Sequence, residues 1–148
     1  MYEHLLVPVD GSELSNKAVE HSIGLAKMLG AAITGVTVEP PLPVLVVEQA
    51  AVAYDVATFQ DHEKRCEAHA REILQAFAAK AQAAGVHFDG QFVITDDVQQ
   101  AIVDMARKQN CDLIVMATHG RHGLDALIHG SLTKSVLAHS QVPLLVVH

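Results

Sequence analysis

Hydrophobic residues along this chain fall into two habits: short unbroken runs, and stripes spaced three or four residues apart. Residues 5–9 (Leu-Leu-Val-Pro-Val) form the first run, which fits a strand buried on both faces. Asp10-Gly11-Ser12 reads as a turn, and Ser12 is a natural helix N-cap. Leu14, Ala18, Ile23, Leu25, Ala26 and Leu29 then recur at helical spacing, and Gly30 stops the helix. Residues 31–38 predict a second strand. Glu39, Pro40, Pro41, Leu42 and Pro43 break regular structure. Residues 44–57 open with strand-like Val-Leu-Val-Val but follow three prolines and run into alanines. They are read as a mobile connection or a short helical turn.

A long helix is expected over 58–84, with Phe59, Cys66, Ile73, Leu74, Phe77 and Ala81 on one stripe. Such a stripe suits a core or dimer surface better than a cofactor site. Residues 87–94 predict a third strand whose alternating start points to partial exposure. Asp96 or Asp97 caps a helix reaching about Lys108, with Val98, Ile102, Met105 and Ala106 inward. Residues 111–117 form a fourth strand, 118–130 a glycine-rich loop, 131–138 a helix and 142–147 a last strand. The alternation predicts an α/β fold, a single open five-stranded parallel sheet with helices on both faces. Ligands of such sheets bind beyond the C-terminal strand ends, where the winding direction switches.

The length of 148 residues suits one domain. Half of the residues are hydrophobic but only 4% are aromatic, so the core must be aliphatic. A formal charge of −7 provides no basic face for nucleic acid or for an anionic membrane. Cys66 and Cys111 lie far apart and outside any Cys-x-x-Cys pair, which argues for packed thiols rather than a disulfide or zinc site. The opening residues lack the basic and apolar segments of a signal peptide, and no apolar run approaches the roughly 20 residues that span a bilayer. A soluble, cytoplasmic protein is expected.

The informative segment is 117–131. Gly120, Gly123 and Gly130 let backbone amides approach an anion closely. The helix that starts at Ser131 adds unpaired N–H groups and a positive dipole end. Ser131 and Thr133 offer hydroxyls, while His119, Arg121 and His122 offer charge or polar contacts. Read alone, the glycines serve equally to shape a surface loop. No Gly-Lys-Ser/Thr triplet marks a Walker loop, and the first βα turn lacks the Rossmann glycines. Ten histidines include no His-Glu-x-x-His, so a zinc site is not expected.

Three separated motifs carry a resemblance. Ala117-Thr-His-Gly120, nine further residues, then Gly130-Ser131 has the spacing of the nucleotide loop of universal stress proteins. Val-Pro-Val-Asp-Gly-Ser at 7–12 is similar to that family's first strand and turn. Val-Pro-Leu-Leu-Val-Val at 142–147 is similar to its last strand. The resemblance extends over essentially the whole chain. It implies strand order 3-2-1-4-5, an adenine nucleotide α-hydrolase-like sheet, and a homodimer through the last strand. It implies ATP, or ADP or AMP, as cofactor, with Mg²⁺ carried on the phosphates. Pro8, Val9 and Asp10 would lie near adenine and ribose, Val38 against adenine, and Met116 and Ala117 at the end of strand four. Gly120, Gly130, Ser131, Leu132 and Thr133 would surround ribose and phosphates, and the rest of the loop adds Thr118, His119, Arg121 and Gly123 as candidate contacts.

Two departures from the family pattern stand out. Ala117 replaces the first motif glycine, and Thr95-Asp-Asp-Val98 replaces a Gly-x-Pro. Asp10 also reads as a plain turn residue. The implied function is a stress-response or regulatory protein whose nucleotide occupancy alters a surface seen by protein partners. Slow ATP hydrolysis is compatible with it, although no general base is evident. A dimeric interaction module without nucleotide, favoured by Ala117, is the alternative. An adenylyl-transferring enzyme would require Arg121 or Lys134 at the leaving phosphate.

Overall fold

The computed structural model describes residues 1–47, 49–118 and 131–148. Its elements are β1 (His4–Pro8), α1 (Glu13–Leu29), β2 (Ala32–Glu39), β3 (Leu45–Val47), β4 (Ala50–Val52) and α2 (Val56–Ala83), followed by β5 (Phe88–Ile94), α3 (Val98–Lys108), β6 (Leu113–Ala117), α4 (Ser131–His139) and β7 (Leu144–Val147). The main sheet has the order β5-β2-β1-β6-β7, and every neighbouring pair is parallel. This is the expected 3-2-1-4-5 order, renumbered by two extra short strands.

Those two strands correct the reading of 44–57. β3 and β4 pair as an antiparallel hairpin outside the main sheet, with Leu45 opposite Val52. Its turn places Gln49 at φ 65°, a left-handed conformation that glycine or asparagine usually supplies. A two-stranded hairpin with no third strand is marginal by itself. Val46 is 64% exposed, so this one has no core of its own.

Side chains alternate across each strand and so build two cores. Leu5, Val7, Ile33 and Val115 face α1 and α2, where they meet Val19, Leu74 and Phe77. Leu6, Val36, Ile114 and Met116 face α3 and α4, where they meet Ile102, Met105 and Val136. Cys66 and Cys111 are both buried and free, as expected of packed thiols. Phe59 departs from its predicted stripe and is 51% exposed. It lies in the first turn of α2, beyond the sheet, with its ring edge against Tyr54.

Helix ends follow the local chemistry. Ser12 caps α1 by accepting from the Ser15 amide, and Gly30 closes that helix at φ 69°. Asp55 and Asp97 cap α2 and α3 in the same way. Hydrogen bonds from Thr58 hold the exposed Asp55 carboxyl below its ordinary range.

Candidate functional site

The sheet switches direction at β1. Chain order proceeds from β1 to β2 on one side, and α3 returns the chain to β6 on the other. At the N-terminal edge β1 and β6 are tightly joined. The amides of Glu3 and His4 both donate to the Asp112 carboxylate, at 2.7 and 3.1 Å. Toward the C-terminal edge they part. Their ladder covers Leu5–Leu113 and Leu6–Ile114. Meanwhile β1 stays paired to β2 as far as Pro8–Val36, and β6 to β7 as far as Ala117–Val147. A crevice therefore opens between β1 and β6 where ligands of such sheets bind.

The β1 side of the crevice ends in a closed turn. The Val9 amide donates to the Val36 carbonyl at 2.9 Å. Asp10 Oδ1 accepts from the Ser12 amide at 2.9 Å, and the Asp10 amide donates to Ser15 Oγ at 3.1 Å. Gly11 lies at φ 79°, and a Cβ there would stand 3.3 Å from Ile73 Cγ1. Pro8 and Asp10 are half-buried, while Val9 is buried against the α1–α2 core.

The β6 side is set by its pairing with β7. Met116 is buried in the α3–α4 core, facing away from Val9. Ala117 is half-buried opposite Val147, and the Thr118 amide donates to the Val147 carbonyl at 3.0 Å. Among described non-glycine residues, positive φ occurs at Gln49 and Asn110. Ala117 thus has ordinary backbone, and its methyl group strains nothing there. His119, Gly120, Arg121, Gly123 and Gly130 lie outside the described residues.

The α4 side begins with Ser131 and Leu132, both exposed, and Thr133, which is buried. Thr133 Oγ1 has no hydrogen-bond partner among the described residues. The first-turn amides of a helix have no intrahelical acceptor either. The first-turn amides and the Thr133 hydroxyl therefore collect at one helix start, at the same edge as Asp10. Among the described residues, no three His, Cys, Asp or Glu side chains are arranged to hold a metal.

The family model described as the universal stress protein family matches residues 1–148. The chain belongs to the universal stress protein family. It is 29% identical over 147 residues to universal stress protein MJ0531 of Methanocaldococcus jannaschii, covering 99% of this chain and 82% of that protein. A universal stress protein solved in complex with cAMP shares its fold at TM-score 0.69 and 24% identity, covering 99% of this chain and 97% of the other. One from Archaeoglobus fulgidus, solved in complex with dAMP, shares it at TM-score 0.67 and 17% identity, covering 99% and 98%.

In this universal stress protein, Val38 is half-buried near the end of β2, one strand from β1. The next residue, Glu39, is a buried carboxylate that the motif pattern does not reveal. His69 Nδ1 lies 2.5 Å from Glu39 Oε1, and His62 Nε2 lies 2.8 Å from the Pro40 carbonyl. A sequence signal for these contacts does exist. His62, Cys66 and His69 occupy positions i, i+4 and i+7, the face that α2 otherwise fills with Ala70, Leu74 and Phe77. Polar residues on a core face require partners.

Proposed function

We propose that this universal stress protein binds an adenine nucleotide, ATP foremost, in the crevice between β1 and β6, and that occupancy is its signal. The observation that carries this reading is Thr133 Oγ1, buried at the start of α4 without a partner among the described residues. An unsatisfied buried hydroxyl costs about 1–3 kcal/mol. A phosphate or ribose oxygen at the helix N-terminus would remove that cost and meet the orphan amides. Asp10 stands across the crevice, where its carboxylate can accept from ribose hydroxyls while it closes its turn. Pro8 and Val38 offer apolar surface for the base. The family neighbours solved with cAMP and dAMP support the same chemistry.

In this reading the glycine loop 117–131 cradles the phosphates, with Thr118, His119, Gly120, Arg121, Gly123, Gly130, Ser131 and Leu132 around them. Mg²⁺ is carried on phosphate oxygens rather than in a protein cage. Two copies pair antiparallel through β7, an edge strand in this chain. The whole chain acts as one domain in the cytoplasm, and regulatory proteins read the occupied surface. Hydrolysis, if present, is slow and incidental.

Calorimetric titration with ATP, ADP, AMP and adenosine tests the reading. Thr133→Val keeps the shape and removes the hydroxyl. The expected result is micromolar-range ATP binding by the natural chain, weakened roughly tenfold in Thr133→Val by loss of one hydrogen bond to a charged group. No heat of binding and no thermal shift with millimolar ATP would refute it.

A further inference from the structure

We propose that His69 and His62 of α2 are positioning residues for the nucleobase, clamping the end of β2 so that Val38 faces the base; this role rests on the nucleotide reading above. β2 outruns its neighbour β1. Their pairing ends at Pro8–Val36, closed by the Val9 amide on the Val36 carbonyl, yet β2 continues to Glu39. From Thr37 onward the main sheet holds β2 from one side, through pairs to β5 that end at Glu39–Ile94. The Thr95 amide adds one bond to the Glu39 carbonyl at 2.9 Å.

The chain then enters Pro40, Pro41 and Pro43, which have no backbone N–H to donate. Three of the four residues 40–43 therefore offer only carbonyls, and α2 with its leading turn supplies donors to them. His62 Nε2 donates to the Pro40 carbonyl at 2.8 Å, and the Tyr54 hydroxyl donates to the Pro43 carbonyl at 2.6 Å. Cys66 Sγ lies 3.3 Å from the same His62 nitrogen. The Glu39 carboxylate is 5% exposed, and a buried carboxylate requires a donor. His69 Nδ1 provides one at 2.5 Å.

Strand geometry links this clamp to the crevice. Successive side chains point to opposite faces, so a one-residue slip exchanges them. Holding Glu39 on the α2 face keeps Val38 on the other. A merely structural pair would stabilise the fold without affecting which base is bound. A positioning pair must alter base recognition while leaving phosphate binding alone.

The test compares His69→Leu and His62→Leu with His69→Asn and His62→Gln, whose amides can replace the lost N–H. Affinities for ATP, GTP and inorganic tripolyphosphate are measured by calorimetry. Hydrogen exchange at the Thr95 amide, which donates to the Glu39 carbonyl, is measured without ligand. The leucine variants should bind ATP roughly tenfold more weakly, discriminate ATP from GTP less, and bind tripolyphosphate as the natural chain does. Exchange at the Thr95 amide should accelerate. The amide variants should recover both properties. Folded leucine variants with unchanged ATP affinity and unchanged base preference would overturn the proposal, as would equal losses for ATP and tripolyphosphate. A natural chain that binds no nucleotide would overturn the proposed function and the role for the base together. Faster exchange in His69→Leu would then still establish the clamp, and unchanged exchange would remove it.

Discussion

Asp10 Oδ1 accepts a hydrogen bond from the Ser12 amide at 2.9 Å, so the carboxylate that we propose for the ribose also closes the turn from β1 into α1. The two roles separate by substitution. Asp10→Asn keeps an acceptor for the turn and removes the charge, so stability should stay within about 0.5 kcal/mol of the natural chain. Asp10→Ala loses the turn bond and should cost about 1 kcal/mol. Urea denaturation measures both. If the carboxylate serves only the turn, ATP affinity in Asp10→Asn will be unchanged. The proposed contact with ribose predicts a weaker complex.

Gly35, in the middle of β2, leaves room for the Phe88 ring. A Cβ at Gly35 would lie 2.8 Å from both Phe88 Cε2 and Cζ and 3.2 Å from Leu74 Cδ2. The ring cannot simply withdraw, because it packs on Phe77 with centroids 4.6 Å apart. Gly35→Ala should therefore destabilise the fold by about 1–3 kcal/mol through overpacking. A lower denaturation midpoint at constant slope is the expected reading. An unchanged midpoint would show that β5 yields freely.

Both thiols should be inert in the folded protein. Burial pushes the Cys111 thiol up to about 11, with Asp112 adding to the rise. Burial also raises Cys66, and the Glu39 carboxylate adds to it. A raised thiol stays protonated at neutral pH, and the protonated form is a poor nucleophile. Iodoacetamide at pH 8 should leave both unmodified until denaturant is added, with Cys111 reacting only as pH approaches 11. Rapid alkylation of either one in the native state would contradict this packing.

β7 is an edge strand, and Leu145 on it is 41% exposed. An apolar edge without a covering partner invites association. The proposed dimer would pair β7 with its copy and cover Leu145. Leu145→Lys should then sediment as a monomer at concentrations where the natural chain is a dimer. A monomeric natural chain would remove the β7 interface from the account.

Much of the fold was legible because each element announces itself locally. The aliphatic runs at Leu5–Leu6–Val7 and Leu113–Ile114–Val115 are buried on both faces, as runs of that kind require. Ser12, Gly30 and Asp97 mark helix ends by chemistry that acts within a few residues. The β3–β4 hairpin was not legible, because Gln49 takes a left-handed turn without glycine or asparagine to signal it. Phe59 misled because helical spacing continues past the point where the sheet ends. In the site, the family resemblance and the strand order it implies placed Asp10, Ala117 and Thr133 toward one edge of the sheet. The contact between Glu39 and His69 spans 30 residues: the polar positions His62, Cys66 and His69 on the inner face of α2 signal that partners are needed, but not that Glu39 is one of them.

A crystal structure grown with millimolar ATP would show whether a nucleotide occupies this crevice. The nucleotide is expected in the crevice between β1 and β6, its base toward Val38, a ribose hydroxyl near Asp10 and a phosphate or ribose oxygen bonded to Thr133 Oγ1. An empty crevice, or one filled by the chain's own side chains with Thr133 paired to protein, would contradict it.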